Sequence, residues 1–211
     1  MADTLTFYTH PMSRARIARW MLEETGLPYE TVILDFNTSM KSPAYLAVNP
    51  MGKVPALKHG NTVITENAAV CMYLADLVPE KGLAPPAGSL ERGAYYRWLL
   101  FAAGPLEALL TAKQAGSLAT PFNAGYGSEA ELLQTLEHVL ESREHLVGDR
   151  FTTADLFVAA FLGYYLRVGA IEARPAFKAF ADLHTSRPAA QRAVAIDNAL
   201  VPSHPHPYIK H

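Results

Sequence analysis

The sequence predicts two units in tandem, an α/β domain on a mixed four-stranded sheet followed by an all-helical domain. Three observations carry this. Up to about residue 78, short β-branched and aromatic runs alternate with helical patterns. From about residue 89 to residue 211 every periodic segment is helical. Between them, residues 79–88 read Pro-Glu-Lys-Gly-Leu-Ala-Pro-Pro-Ala-Gly, the composition of a linker.

The first half has the order β-α-β-α-β-β-α. Leu5–Tyr8 and Tyr29–Leu34 are strand-like. A helix from about Arg14 to Thr25 separates them, closed by Gly26 where a left-handed cap is needed. Ser42-Pro43 supplies an N-cap and a first-turn proline for a short helix to about Ala47. Val54–Lys58 and Thr62–Thr65 flank Gly60-Asn61 at hairpin spacing, and a helix follows from Asn67 to about Leu77. A strand–helix–strand crossover gives a parallel pair and the hairpin an antiparallel one, hence a mixed sheet.

In the second half a helix is expected from about Leu90 to Gln114, kinked or broken at Gly104-Pro105. A Gly/Pro-rich loop covers residues 115–127, and the next helix runs from about Ser128 to Val147. Leu156–Leu166 is apolar nearly all round and should be the buried central helix. Pro175 and Pro188 are placed to start two more. The run Phe151-Thr152-Thr153-Ala154-Asp155-Leu156 has the form of a capping box with a hydrophobic staple, which makes Asp155 a structural carboxylate rather than a catalytic one.

Composition excludes several classes of function. The chain has 211 residues, half of them apolar, and a formal charge of −2, so no basic surface points to nucleic acid. No apolar run is long enough to span a membrane, and nothing resembles a signal peptide. One cysteine, Cys71, permits no internal disulfide, and its apolar helical setting suits an inert thiol. The expectation is a cytoplasmic protein.

Two motifs carry chemistry. Asn49-Pro50-Met51-Gly52-Lys53-Val54-Pro55-Ala56-Leu57 precedes Thr65-Glu66-Asn67-Ala68-Ala69 at the start of the third helix. With the capping box and the order of elements, they resemble the cytosolic-type glutathione transferases over roughly residues 4 to 198. The resemblance implies a thioredoxin-like N-terminal domain at 1–78, a linker at 79–88 and a helical domain at 89–211 that contributes the electrophile side, with a bacterial-like, serine-type site. It also implies a cis Val54–Pro55 bond and a cytoplasmic homodimer working in detoxification.

Glutathione, the implied co-substrate, is an extended peptide with two carboxylates, one ammonium and a thiol. Its cysteine backbone can pair with the Val54 edge beside Pro55 by β-augmentation. Glu66 can meet the ammonium, while the helix start at Asn67 favours the γ-glutamyl carboxylate. The family usually has a hydroxyl residue where this chain has Asn67. Lys53 can hold the glycine carboxylate or stand solvated in its loop.

The thiol end falls on Tyr8-Thr9-His10-Pro11-Met12-Ser13-Arg14, where free helix amides and a hydroxyl can stabilise a thiolate. Ser13 is the first choice for the hydroxyl donor, with Tyr8, Thr9 and His10 as alternatives. His10-Pro11-Met12-Ser13 stands where thioredoxin-like proteins carry Cys-Pro-x-Cys, so no protein thiol is at hand and cysteine-type transferases match poorly.

The expected reaction is attack of the glutathione thiolate on an apolar electrophile seated in a cleft between the halves, with no metal. Phe122, Tyr126, Tyr164 and Tyr165 are candidates to line it, and Tyr95, Tyr96, Trp98 and Phe101 give the fourth helix apolar surface for a dimer. A glutathione-dependent disulfide or peroxide reductase, and a non-enzymatic ligand-binding protein, are the alternatives. Arg14, Arg16 and Arg19 either steer an anion or form salt bridges, and His204, His206 and His211 punctuate a Pro-rich tail.

Overall fold

The computed structural model describes residues 4–206; His211 lies outside them. Four strands form one sheet in the order β2-β1-β3-β4: β1 (Leu5–Thr9), β2 (Tyr29–Ile33), β3 (Ala56–His59) and β4 (Thr62–Thr65). β1 is parallel to β2 and antiparallel to β3, and β3 is antiparallel to β4. The sheet is mixed, as the crossover and the hairpin require.

The β3–β4 hairpin turns on Gly60 at φ 57° and pairs Ala56 with Thr65. β3 begins at Ala56 rather than at Val54, because Pro55 has no N–H to give to a ladder. The register therefore brings the Val54-Pro55 corner opposite the Glu66-Asn67 corner.

Three helices accompany the sheet: α1 (Ala15–Thr25), α2 (Pro43–Leu46) and α3 (Asn67–Asp76). Gly26 closes α1 at φ 64°, its N–H donating to Leu22 O at 3.0 Å. Ser42 caps α2 by accepting from Tyr45 N at 3.3 Å, with Pro43 in the first turn. Phe7, Leu57, Met21, Leu22, Val70 and Leu74 form the buried centre of this unit.

The helical unit spans Pro79–Arg187. It contains α4 (Glu91–Phe101), α5 (Glu107–Gln114), α6 (Glu129–Leu140), α7 (Thr153–Arg167) and α8 (Pro175–Thr185). The expected break at Gly104-Pro105 is a π-helical segment, Ala102–Leu106, joining α4 to α5; a looser turn accommodates a proline that cannot donate its N–H. α6 stops at Leu140, short of the expected Val147, and its N-terminus has a capping box between Ser128 and Glu131. α7 is buried on most of its circumference.

The last helix, α9 (Pro188–Leu200), departs from the division drawn on the sequence. Contacts group Pro188–His211 with Met1–Val78, so the first unit is discontinuous in sequence. Arg19 of α1, fully buried, donates from Nε to Asp197 Oδ1 of α9 at 2.7 Å. Arg192 reaches Glu23 at 3.1 Å, and Arg16 bonds Asn198. Of the two roles the sequence left open for these arginines, steering an anion or forming salt bridges, Arg16 and Arg19 take the second and clasp α9.

Candidate active site

β1 delivers the chain to α1 through Tyr8-Thr9-His10-Pro11-Met12-Ser13, and packing separates the four candidate donors. Tyr8 lies against Tyr45, ring centroids 5.4 Å apart. Thr9 and His10 are fully buried. Ser13 is half-buried and combines a place at the helix start with access to solvent. Its hydroxyl accepts from Ala15 N at 3.1 Å and donates to His10 O at 2.8 Å. His10 O also receives the Ser13 N–H at 3.1 Å. The hydroxyl hydrogen can therefore turn to another acceptor while the carbonyl stays satisfied.

The backbone amides here differ from expectation. The sequence places unsatisfied helix amides at this mouth. Instead Met12 N donates to His10 Nδ1 at 3.1 Å, Ser13 N to His10 O, Ala15 N to Ser13 Oγ and Arg16 N to Ser13 O. The His10 ring and the Ser13 hydroxyl fold back onto them, which leaves the hydroxyl as the accessible donor.

The start of α3 is the opposite case. Its N-cap, Glu66, makes no side-chain cap, and among the described residues no bond reaches the amides of Asn67 and Ala68. Glu66 holds φ 66° and ψ 118°, a region that side-chain-bearing residues rarely enter. An exposed helix N-terminus with open amides and a partial positive charge suits a carboxylate. Asn67 Nδ2 donates to Arg14 O at 2.8 Å, and Cys71 Sγ lies 3.9 Å from Asn67 Oδ1. The residue beside Ser13 is thereby fastened to the first residue of α3, and the two helix mouths stand side by side. Burial raises the Cys71 thiol well above its usual range, which fits an inert sulfur.

The third face is the segment 49–55. The Val54–Pro55 bond is cis. Among the described residues neither the Val54 N–H nor its carbonyl has a partner, so a free two-pronged backbone edge lies next to Glu66. The preceding loop is braced: Lys53 O accepts from Tyr45 Oη at 2.6 Å and from Asn49 Nδ2 at 2.9 Å. The Lys53 side chain is exposed, and among the described residues its ammonium has no partner. Lys41, which the sequence reading passed over, donates to Met51 O at 2.9 Å and Gly52 O at 2.8 Å. Gly52 sits at φ 57° where an added Cβ would come 2.8 Å from Met40 O, so glycine is required at this turn.

In the helical unit the aromatic candidates divide. Phe122 is 97% exposed and Tyr164 half-exposed, whereas Tyr165 is buried and donates to Glu107 Oε2 at 3.1 Å. Tyr126 accepts from Ala119 N at 3.0 Å, bracing its own loop. Asp155 fulfils its structural role: its carboxylate accepts from Thr152 N at 2.7 Å, Thr152 Oγ1 at 3.0 Å and Leu146 N at 2.6 Å. Among the described residues, His145, Asp155 and His184 bring possible metal-ligating atoms within 4.8 Å of one another. Both Asp155 oxygens are already spent on amides, and His184 Nε2 donates to Glu144 O at 2.8 Å. The group is a latch between the segment before α7 and α8.

A thioredoxin-like sheet with a free backbone edge, an open helix N-terminus and a hydroxyl at a neighbouring helix mouth has the groups that can pair with an extended, carboxylate-bearing peptide. The family models agree: residues 3–76 match "Glutathione S-transferase, N-terminal domain" and residues 123–188 match "Glutathione S-transferase, C-terminal domain". The chain is 32% identical to glutathione S-transferase 3 of Zea mays over 90% of this chain and 93% of that one. A glutathione transferase structure from Methylococcus capsulatus superposes with a TM-score of 0.77 at 30% identity, covering 93% of this chain and all of the other. A sphingomonad glutathione S-transferase complexed with glutathione gives 0.75 at 32% identity, covering 92% and 98%. The chain belongs to the glutathione S-transferase family, and its activity is that of a glutathione transferase.

Proposed function

We propose that the protein is a serine-type glutathione transferase in which the Ser13 hydroxyl holds the glutathione sulfur as a thiolate. The reading rests on the 2.8 Å bond from Asn67 to Arg14 O, which sets the Ser13 mouth against the open start of α3. An extended tripeptide then has one partner for each part. The γ-glutamyl carboxylate meets the amides of Asn67 and Ala68, and its ammonium meets Glu66. The cysteine backbone pairs with Val54 beside Pro55, Lys53 takes the glycine carboxylate, and the thiol reaches Ser13.

Catalysis follows from charge stabilisation and positioning. The thiol loses its proton to solvent, and the sulfur anion accepts the Ser13 hydrogen. The sulfur then forms a bond to an electrophilic carbon, whose leaving group departs with the bonding electrons. The electrophile is apolar, a class suited to detoxification.

In Ser13→Ala the bound thiol should titrate about one unit higher, with turnover of an aryl halide down about 10- to 100-fold. An ultraviolet thiolate titration unchanged by the substitution would move the donor to another residue.

We also propose a cytoplasmic homodimer. Of the four aromatic residues on α4 named from the sequence, Tyr95 and Trp98 are buried in their own unit and Phe101 is half-buried, so Tyr96 and, one turn on, Leu100, 58% exposed, are the side chains placed to meet a partner. Sedimentation as a monomer at micromolar concentration would refute the dimer.

A further inference from the structure

We propose that His10 is a positioning residue for the Ser13 hydroxyl, held in place by the C-terminal segment His204–His206 packed across it. The inference rests on the Ser13 reading and adds to it the two histidines of the tail that catalysis leaves unused.

His10 organises the turn that presents Ser13. Its Nδ1 accepts the Met12 N–H at 3.1 Å, which puts the ring proton on Nε2. Its carbonyl accepts both the Ser13 N–H at 3.1 Å and the Ser13 hydroxyl at 2.8 Å. When the hydroxyl hydrogen turns to the sulfur, the bonds from Met12 N to the ring and from Ser13 N to the carbonyl still fix where Oγ stands. An apolar side chain of similar size would fill the space without accepting from Met12 N, and would free that amide to draw the turn elsewhere.

The ring is fully buried, and Nε2 has no partner among the described residues, an arrangement that costs about 1–3 kcal/mol. A neighbouring cluster holds it there. Phe36 faces it at 4.3 Å and His204 at 6.4 Å between ring centroids, and Phe36 is in turn covered by His206 at 4.7 Å. His204 Nδ1 lies 2.7 Å from Asp35 Oδ1, and its backbone N–H donates to Leu200 O and Val201 O, both at 3.2 Å. Because α9 is clasped to α1 by Asp197 and Arg19, the segment that follows it is delivered to the Asp35-Phe36 corner. Burial lowers the His10 pKa, with Asp35 opposing and His204 and His206 adding to the shift, so the imidazole stays neutral and Nδ1 stays an acceptor.

The experiment compares His10→Leu, His10→Asn and the pair His204→Ala/His206→Ala in the full chain, with Ser13→Ala as reference. Asparagine places an amide oxygen close to where Nδ1 stands. In His10→Leu the bound glutathione thiol should titrate about half to one unit higher and kcat should fall about three- to tenfold, with KM for glutathione changed less than about twofold. His10→Asn should recover most of both losses. The tail pair should shift the thiol in the same direction by a smaller amount; it alters only part-exposed side chains, so it keeps the test alive if His10→Leu fails to fold. A thiol pKa unchanged in the tail pair and in a folded His10→Leu, while Ser13→Ala raises it, would overturn the inference and leave the Ser13 reading standing. So would a His10→Asn variant no better than His10→Leu. No shift in Ser13→Ala would sink both.

Discussion

Glu66 illustrates how much of the site is decided at single residues. A backbone at φ 66° in a residue with a Cβ is held against a penalty of about 1–3 kcal/mol. The side chain is exposed, so no core packing compensates. The strained residue stands directly before the open amides of Asn67 and Ala68, at the start of α3. Glu66→Gly should therefore raise stability by up to about 1 kcal/mol, seen as a higher unfolding midpoint, while raising KM for glutathione several-fold. A variant equally stable, or one with unchanged KM, would remove the functional reading of the strain. At this scale the sequence was informative about chemistry and silent about access. Ser13, Thr9 and His10 are equivalent as letters near a helix start, and only packing shows that Thr9 and His10 are enclosed while Ser13 is not. Lys41 escaped notice because its role is to donate to the carbonyls of Met51 and Gly52 ten and eleven residues away, which no local pattern encodes.

At the level of elements, local rules were enough wherever the controlling residues are neighbours in sequence. The Gly60-Asn61 turn set the pairing of Ala56 with Thr65, and with it the meeting of Val54 and Glu66. The Thr152–Asp155 box was legible for the same reason: the Thr152 hydroxyl accepts from the Asp155 N–H as expected and also donates to the Asp155 carboxylate. What the sequence did not show is that His184 of α8 and His145 gather around that box. Burial lowers the His184 pKa from 6.5 to about 4, with His145 and Arg187 adding to the shift and the Glu144 carbonyl opposing it. The folded state thus binds a proton less readily than the unfolded chain. The stabilisation is complete above pH 6.5 and is lost as pH falls from 6.5 towards about 4, by roughly 3 kcal/mol in all. Unfolding midpoints measured from pH 7 to pH 4 should fall more steeply for this protein than for His184→Gln. Parallel curves would mean that the proton is taken up elsewhere.

Across the whole molecule, the largest departure from the sequence division is the return of α9 to the first unit. The cause is a pair 178 residues apart, Arg19 and Asp197, which pattern reading along the chain cannot join. The pair is buried and incompletely satisfied. Arg19 also donates to Tyr29 Oη at 3.2 Å and lies over the Phe7 ring, yet Arg19 Nη2 and Asp197 Oδ2 have no hydrogen-bond partner among the described residues. Burial raises the Asp197 pKa while Arg19 pulls it back, the balance expected of a carboxylate that pays for its desolvation with one strong partner. Asp197→Ala leaves a guanidinium enclosed without its counter-charge and should cost about 3–5 kcal/mol of unfolding free energy. The double variant Arg19→Met/Asp197→Leu removes both charges and should recover most of that loss, since attraction and desolvation nearly cancel in such pairs. Denaturant unfolding of the two variants separates the possibilities. If the single and double variants lose the same stability, the pair is a net source of stability rather than a device that specifies where α9 docks. The same variants report on the tail. If docking of α9 sets the strap over His10, Asp197→Ala should also raise the bound thiol's pKa, and the double variant should return it.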